Sequence, residues 1–105
     1  MRAETFGQIL AEARQQAGLS QKQLAALIKK LDGRPISPQY LNDLEHDRRN
    51  PPSEYLIIQF AHALKLKKDY LMLAAGKISQ DVRAIGMANP EMVERIFQLF
   101  RKARK

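Results

Sequence analysis

Two short segments, residues 18–28 and 36–52, constrain the fold of this chain more than any other feature. Each contains a serine, Ser20 in the first and Ser37 in the second, whose side-chain oxygen can accept a hydrogen bond from a free amide at a helix N-terminus. Pro38 follows Ser37 at the first helical position, where the missing N–H of proline costs nothing. The segments therefore predict two short helices joined by a turn, the second followed by a loop over residues 47–52 that contains Arg48 and Arg49 and is called the basic loop below.

Helix signals cover most of the chain. Apolar residues recur at three- and four-residue spacing, and glycine, proline or a capping residue separates the periodic stretches. We expect helices over residues 5–17, 20–31, 37–46, 53–64 and 69–75, a short helix over 79–88, and a last helix from 90 onward. The second helix is predicted to bury Leu24, Leu27, Ile28 and Leu31. The fold class is therefore all-α, with five helices in residues 1–76 and a helical extension over residues 77–105.

Composition excludes several classes of protein. A chain of 105 residues has room for one hydrophobic core, and it has no cysteine for disulfides, zinc–thiolate sites or thiol nucleophiles. No apolar run is long enough to cross a bilayer, and the N-terminus lacks the pattern of a signal peptide. We therefore expect a cytoplasmic protein with no membrane partner.

Positive charge is concentrated in two places. The net charge is +7; residues 1–76 hold 11 Lys and Arg against 8 Asp and Glu, while residues 77–105 hold 7 against 3. The excess lies at Arg48 and Arg49, and in a C-terminal run of Arg101, Lys102, Arg104 and Lys105. Such charge fits a polyanionic partner, although solubility alone explains it almost as well.

Residues from about 6 to 73 resemble the Cro/repressor-type helix-turn-helix family, also called XRE-like. The resemblance is carried by Arg14, by residues 18–24 and 40–45, by the basic turn ending at residues 50–52, and by residues 60–64. It implies a five-helix lambda-repressor-like helix-turn-helix bundle over residues 1–76, with residues 77–105 as an additional C-terminal helical tail. It also implies that the partner is double-stranded DNA and that the protein is associated with the nucleoid.

The resemblance implies roles for individual residues. Gln21 would bind a DNA phosphate at the start of the second helix, and Arg48 and Arg49 would hold the DNA backbone after the third. Arg14 and Glu45 would form a semi-buried ion pair that ties the first helix to the third. The residues implied to face base edges are the early ones of the third helix: Ser37, Gln39, Tyr40, Asn42 and Asp43.

Two departures from the family pattern affect this site. The connection over residues 29–36 is several residues longer than the tight turn of the best-known members, which leaves the angle of the third helix open. Asp47 stands where a glycine is frequent, but aspartate tolerates a left-handed backbone better than most residues. Tyr40 is either a core anchor or a groove contact by its spacing, and we expect it to be partly buried.

The last helix carries a broad apolar stripe that must be covered by something. Its candidate interface residues are Met92, Val93, Ile96, Phe97 and Phe100. Either the last helix folds back onto the core, or its apolar stripe forms a homodimer interface, or the stripe binds a protein partner as in an antitoxin. We favour the homodimer, because repressors of this kind bind two half-sites about 34 Å apart with matching two-fold symmetry.

The function predicted from these observations is sequence-specific transcriptional regulation, most simply repression by a homodimer. The alternative is an antitoxin-type regulator whose tail binds a toxin. An enzyme would need a nucleophile with a base, paired carboxylates, a metal cluster or a glycine-rich phosphate loop, and the sequence has none at usable spacing. We therefore expect no enzyme activity, no cofactor and no metal site, with His46 and His62 as surface residues.

Overall fold

The computed structural model describes residues 5–103, which form seven α-helices. In chain order they are α1 (Phe6–Gln16), α2 (Gln21–Leu27), α3 (Pro38–Glu45), α4 (Glu54–Leu64), α5 (Lys68–Ala74), α6 (Gln80–Ala88) and α7 (Pro90–Lys102). The all-α class and the additional C-terminal helix are confirmed. Of the basic C-terminal run, Arg104 and Lys105 lie outside the described residues.

The predicted serine caps begin the two central helices. Ser20 Oγ accepts a hydrogen bond from Gln23 N at 3.0 Å, and Gln23 Oε1 accepts one from Ser20 N at 2.8 Å, which completes a capping box. Ser37 Oγ accepts from Tyr40 N at 3.0 Å, with Pro38 at the first helical position. Residues only a few positions apart therefore determine where α2 and α3 begin.

The hydrophobic core lies where α1, α3, α4 and α5 meet, and α2 packs against α3. Its largest fully buried apolar side chains are Leu10, Leu24, Ile28, Leu41, Leu44, Ile57, Phe60, Leu71 and Met72. Burying a side chain of this size contributes about 1.5–3 kcal/mol relative to its exposure. The core therefore fixes the inner faces of α2 and α3 and leaves their opposite faces to solvent.

The second helix ends earlier than the periodicity predicts. Ile28 is its C-cap and has an extended backbone, with φ −106° and ψ 117°. As a result Leu27 is 55% exposed and Leu31 86% exposed, so the prediction that both face inward is wrong. The physical reason is that leaving the helix at residue 28 keeps Ile28 in the core and brings Ile36 there as well.

The long connection between α2 and α3 is an ordered antiparallel hairpin over residues 28–36, called the α2–α3 hairpin below. Lys29 pairs with Pro35, Lys30 N donates to Arg34 O at 2.7 Å, and Ile36 N donates to Ile28 O at 2.9 Å. The Gln59 side chain on α4 accepts from Lys29 N and donates to Lys29 O, both at 2.7 Å. The extra residues are therefore tied to α4.

A close approach between α1 and α3 requires a glycine. A Cβ atom at Gly7 would lie 2.3 Å from the Leu44 carbonyl oxygen and 2.7 Å from the Glu45 carbonyl oxygen. Real Cβ atoms do not come this close to backbone, so the first turn of α1 can rest on the end of α3 only because this side chain is missing.

The last two helices extend from the core and bury none of their own side chains. Polar contacts attach the start of α6: Lys77 Nζ donates to Pro52 O at 2.9 Å, and Gln80 N donates to Glu54 Oε1 at 3.1 Å. The main packing partner of α7 is α6. Within residues 5–103, no helix has the length and apolar character needed to cross a membrane.

Candidate nucleic-acid interface

Helix α3 presents a polar edge on the side opposite its buried leucines. Leu41 and Leu44 are fully buried, whereas Ser37 and Gln39 are exposed and Asn42 is half-buried. The N-terminal half of the helix therefore projects hydrogen-bonding groups from a rigid support. Amide side chains in this position can pair with base edges in a DNA major groove.

A bidentate ion pair holds α3 against α1. Arg14 Nε donates to Glu45 Oε2 at 2.6 Å and Arg14 Nη2 donates to Glu45 Oε1 at 3.0 Å. Arg14 Nη1 also donates to the Leu19 carbonyl at 2.9 Å, which ties in the chain just before α2. Glu45 is only 6% exposed, so the pair is a structural one and its geometry fixes the relative orientation of the helices.

Gln21 joins this network and does not extend freely toward a phosphate. Its Nε2 donates to Asn42 Oδ1 at 3.0 Å and to Glu45 Oε1 at 2.9 Å. These two bonds use both hydrogens of the amide, so in this arrangement the side chain has none left for an anion. Gln21 instead orients Asn42.

Asp43 connects a predicted base contact with a predicted phosphate contact. Its Oδ1 accepts from Gln39 Nε2 at 3.0 Å and lies 3.7 Å from Arg48 Nη1. The carboxylate therefore orients both side chains. It also partly neutralises Arg48, whose side chain is 60% exposed.

Tyr40 and Arg49 form a second contact between α3 and the basic loop. The Arg49 guanidinium carbon lies 5.1 Å from the centre of the Tyr40 ring, a cation–π geometry. The ring is half-buried against the core, and burial raises the pKa of its phenol above the ordinary value while the nearby Arg49 charge lowers it. Of the two roles left open by the sequence, this placement is that of a partly buried anchor with Arg49 stacked on it.

Asp47 has a role that the sequence did not predict. It adopts the left-handed backbone expected where a glycine is frequent, with φ 57°. Its Oδ1 accepts from Gly7 N at 3.1 Å and its Oδ2 accepts from Thr5 Oγ1 at 2.7 Å. The carboxylate therefore caps the N-terminus of α1 from a distant part of the sequence. Its negative charge also interacts favourably with the positive end of the α1 dipole. Its partners are some 40 positions away, so no local pattern could have revealed this contact.

The apolar stripe of α7 remains exposed in the single chain. Met92, Ile96, Phe97 and Phe100 are exposed, and the Phe97 and Phe100 ring centres are 5.9 Å apart. Val93 is half-buried against Gly86 of α6. The five predicted interface residues therefore lie on one helix, and within residues 5–103 the hydrophobic core does not cover them.

Comparison with known proteins assigns this fold to a family. The sequence model of the HTH_3 helix-turn-helix family matches residues 10–71, which is more than half of the chain. No curated protein sequence matches the chain significantly. The matched region includes α2, the α2–α3 hairpin, α3 and the basic loop.

Two solved structures share the architecture. One is the clp gene regulator ClgR from Corynebacterium glutamicum, with a TM-score of 0.55 and 24% identity over 89% of this chain and 87% of that chain. The other comes from the SinR protein/SinI protein complex, with a TM-score of 0.54 and 19% identity over 95% of this chain and 100% of that chain. At these identities the likeness concerns the fold. From the family match, the chain belongs to the XRE-type helix-turn-helix family of DNA-binding transcriptional regulators.

Proposed function

We propose that this protein is a homodimeric repressor that binds a specific double-stranded operator in the cytoplasm and blocks transcription by occupying a promoter. The observation that carries the proposal is the exposed polar edge of α3, held in place by the Arg14–Glu45–Gln21 network. A network assembled before binding lowers the entropy cost of ordering the contact residues on DNA.

The dimensions of α3 fit a major groove. An α-helix with its side chains is about 10–12 Å across, which a groove about 12 Å wide admits, and the eight residues of α3 extend about 12 Å along the helix axis. Ser37, Gln39 and Asn42 then face base edges, and Arg48 and Arg49 hold phosphates beside the C-terminal end of the helix. Asp43 aligns Gln39 and is itself suited to accept a hydrogen bond from a cytosine amino group.

Dimerisation is assigned to α7. Exposed aromatic and aliphatic side chains on one face are typical of an interface, and pairing two such helices buries them. A two-fold dimer would place two α3 helices on successive turns of one DNA face, so the operator is expected to be a palindrome with half-sites about 34 Å apart.

Selection of bound sequences from random duplex DNA tests this function. We expect an enriched palindromic site, and we expect binding to weaken steeply as salt rises because phosphate contacts release counterions. Failure to enrich any sequence, or affinity that does not change with salt, would overturn the proposal.

Two substitutions separate base reading from phosphate binding. Gln39→Ala should change the preferred base at one position in each half-site, at a cost of about 1–3 kcal/mol on the selected operator. Arg49→Ala should weaken operator and random DNA about equally, because a phosphate contact carries no sequence information. Lys67→Ala, at the exposed start of α5, is the matched surface control and should leave both affinities unchanged.

A second function is favoured by the exposure of the α7 stripe, which would equally suit a different protein. In this antitoxin-type alternative, α6 and α7 wrap a toxin while α1–α5 bind the shared operator. Sedimentation of the purified chain separates the two cases. A stable homodimer that becomes monomeric on Phe97→Asp supports the repressor, whereas a monomer that co-purifies with the product of a neighbouring reading frame supports the antitoxin.

A further inference from the structure

The α2–α3 hairpin holds two cationic side chains opposite each other. Lys30 N donates to Arg34 O at 2.7 Å, so the two residues are cross-strand neighbours, and both are exposed. Like charges directly opposite in an antiparallel pair repel. Among residues 5–103, neither side chain has an ion pair or a hydrogen bond. The backbone of the hairpin therefore keeps two unneutralised cations together.

The neighbouring charged residues are already engaged. Lys29 Nζ donates to the Ala26 carbonyl at 2.7 Å, which caps the end of α2. Asp32 Oδ1 accepts from the backbone N–H of Arg34 at 2.9 Å, so that carboxylate supports the turn. Lys30 and Arg34 are consequently the hairpin cations available to an anion.

The hairpin brings these cations to the N-terminal end of α3. It ends at Ile36, directly before the Ser37 cap, and three residues of chain cannot separate Arg34 from Ser37 by more than about 11 Å. Arg48 and Arg49 follow the other end of the same helix. Cationic pairs therefore lie near both ends of a helix that is about 12 Å long.

The backbone that carries the two cations is held in place by other parts of the fold. The Gln59 side chain holds both backbone polar groups of Lys29 at 2.7 Å, and the buried Ile28 and Ile36 anchor the two hairpin stems. A cation on such a support loses less conformational entropy on binding than one on a free loop.

From these observations we infer that Lys30 and Arg34 form a second phosphate-binding element, contacting DNA phosphates beside the N-terminal end of α3. This inference rests on the proposed binding of double-stranded DNA by α3. It assigns the lengthened connection a role of its own, because the hairpin contributes affinity without reading bases.

The test is the salt dependence of binding to a random duplex, measured by fluorescence anisotropy between about 50 and 200 mM salt. The variant is Lys30→Ala/Arg34→Ala in the full chain. Because each lost phosphate contact lowers the slope of log K against log salt by about 0.9, the slope should become shallower by about 1.8 for each protomer. Lys67→Ala/Arg83→Ala removes the same charge from exposed positions near α5 and α6 and should retain the parent slope.

The outcomes distinguish this inference from the function on which it rests. If the parent chain binds DNA and Arg49→Ala weakens it, but Lys30→Ala/Arg34→Ala keeps the parent slope, the hairpin inference is overturned alone. If the parent chain does not bind duplex DNA, both are overturned. Circular dichroism checks the fold of each variant. The charge-retaining pair Lys30→Arg/Arg34→Lys should restore the parent slope, and its failure to do so would also count against the inference.

Discussion

A single absent side chain sets the distance between two helices of this protein. Gly7 lies under the end of α3, where a Cβ atom would come within 2.3 Å of a backbone carbonyl oxygen. Asp47 uses the same close approach, since its carboxylate accepts the Gly7 N–H at 3.1 Å. The turn that leads into the basic loop is therefore built against the start of α1.

Gly7→Ala should lower the free energy of unfolding. The new methyl group overlaps backbone, which cannot move without shifting α1 against α3, and overpacking of this kind costs about 1–3 kcal/mol. Urea denaturation followed by circular dichroism measures the change. In an uncrowded helix the same substitution would stabilise by up to about 1 kcal/mol, so an increase in stability would contradict the close packing.

The titration of Tyr40 reports its burial. In the variant Tyr55→Phe/Tyr70→Phe, Tyr40 is the remaining tyrosine, and absorbance at alkaline pH should give a pKa above the ordinary value of 10.0 because burial disfavours the phenolate. Because the pKa of the Tyr40 phenol is raised in the folded state, the phenol contributes fully to the free energy of unfolding below pH 10.0. This contribution is lost as pH rises through the folded pKa.

Arg49→Ala in the same background supplies the control. Arg49 opposes the effect of burial on the Tyr40 pKa, so its removal should move the midpoint further upward. A midpoint at or below 10.0 in the parent background, or a downward movement on removing Arg49, would contradict the packing described for this pair.

At the scale of elements, helix starts could be predicted and one helix end could not. Ser20 and Ser37 bond to amides three residues away, so local sequence contains the whole signal. The end of α2 depends on burial of Ile28 and Ile36 in the core, and the chain after it is held by Gln59, which lies 30 positions beyond its partner Lys29. The periodic leucines Leu27 and Leu31 continue past this end, and no pattern within the segment distinguishes a longer helix from a hairpin.

The same distinction applies within the candidate site. The helix caps and the exposed amides on α3 follow from residue type and spacing. The burial of Leu41 and Leu44 follows from their three-residue spacing, which matches the repeat of an α-helix. The hydrogen bonds from the Gln21 side chain to Asn42 and Glu45 do not follow from local sequence, because they depend on the angle at which α2 crosses α3. Sequence alone therefore predicts which side chains of α3 are exposed better than it predicts the hydrogen-bond partners of those side chains.

Gln59→Ala should loosen the α2–α3 hairpin while preserving the rest of the fold. It removes two hydrogen bonds to Lys29, each contributing about 0.5–1.5 kcal/mol, at a partly solvated position. Hydrogen exchange should accelerate at the amides of Lys29, Lys30 and Ile36 more than in α4. Gln98→Ala, on the exposed surface of α7, is the control; equal exchange in both variants would show that the clamp contributes nothing.

At the scale of the whole molecule, α1–α5 and the α2–α3 hairpin contain the hydrophobic core, and α6 and α7 are attached to its surface. Helices α6 and α7 bury no residue of their own, and polar contacts near residues 77–80 attach them. Asp81 belongs to this attachment. The pKa of its carboxyl is lowered by a hydrogen bond from the Ser79 hydroxyl, by a second one from the Val82 amide, and by the nearby positive charge of Lys68.

A chain ending at Gly76 should therefore remain folded. It loses the contacts from Lys77 and Gln80 but no apolar core residue, so we expect cooperative unfolding with a loss of about 1–3 kcal/mol. Sedimentation should give a monomer, because the proposed dimer interface is gone. Loss of cooperative unfolding would contradict residues 1–76 as a domain, and a persistent dimer would contradict the assignment to α7.

The clamp on the α2–α3 hairpin also makes its tip independent of the helices that it joins. The stems are fixed at Ile28, Ile36 and Gln59, whereas Leu31, Asp32 and Gly33 lie beyond them in solvent. Residues inserted at the tip should therefore leave the hairpin stems in place and the orientation of α3 unchanged. This connection is thus a natural graft point, where a peptide tag or a spectroscopic label can be introduced while the crossing of α2 and α3 stays unchanged.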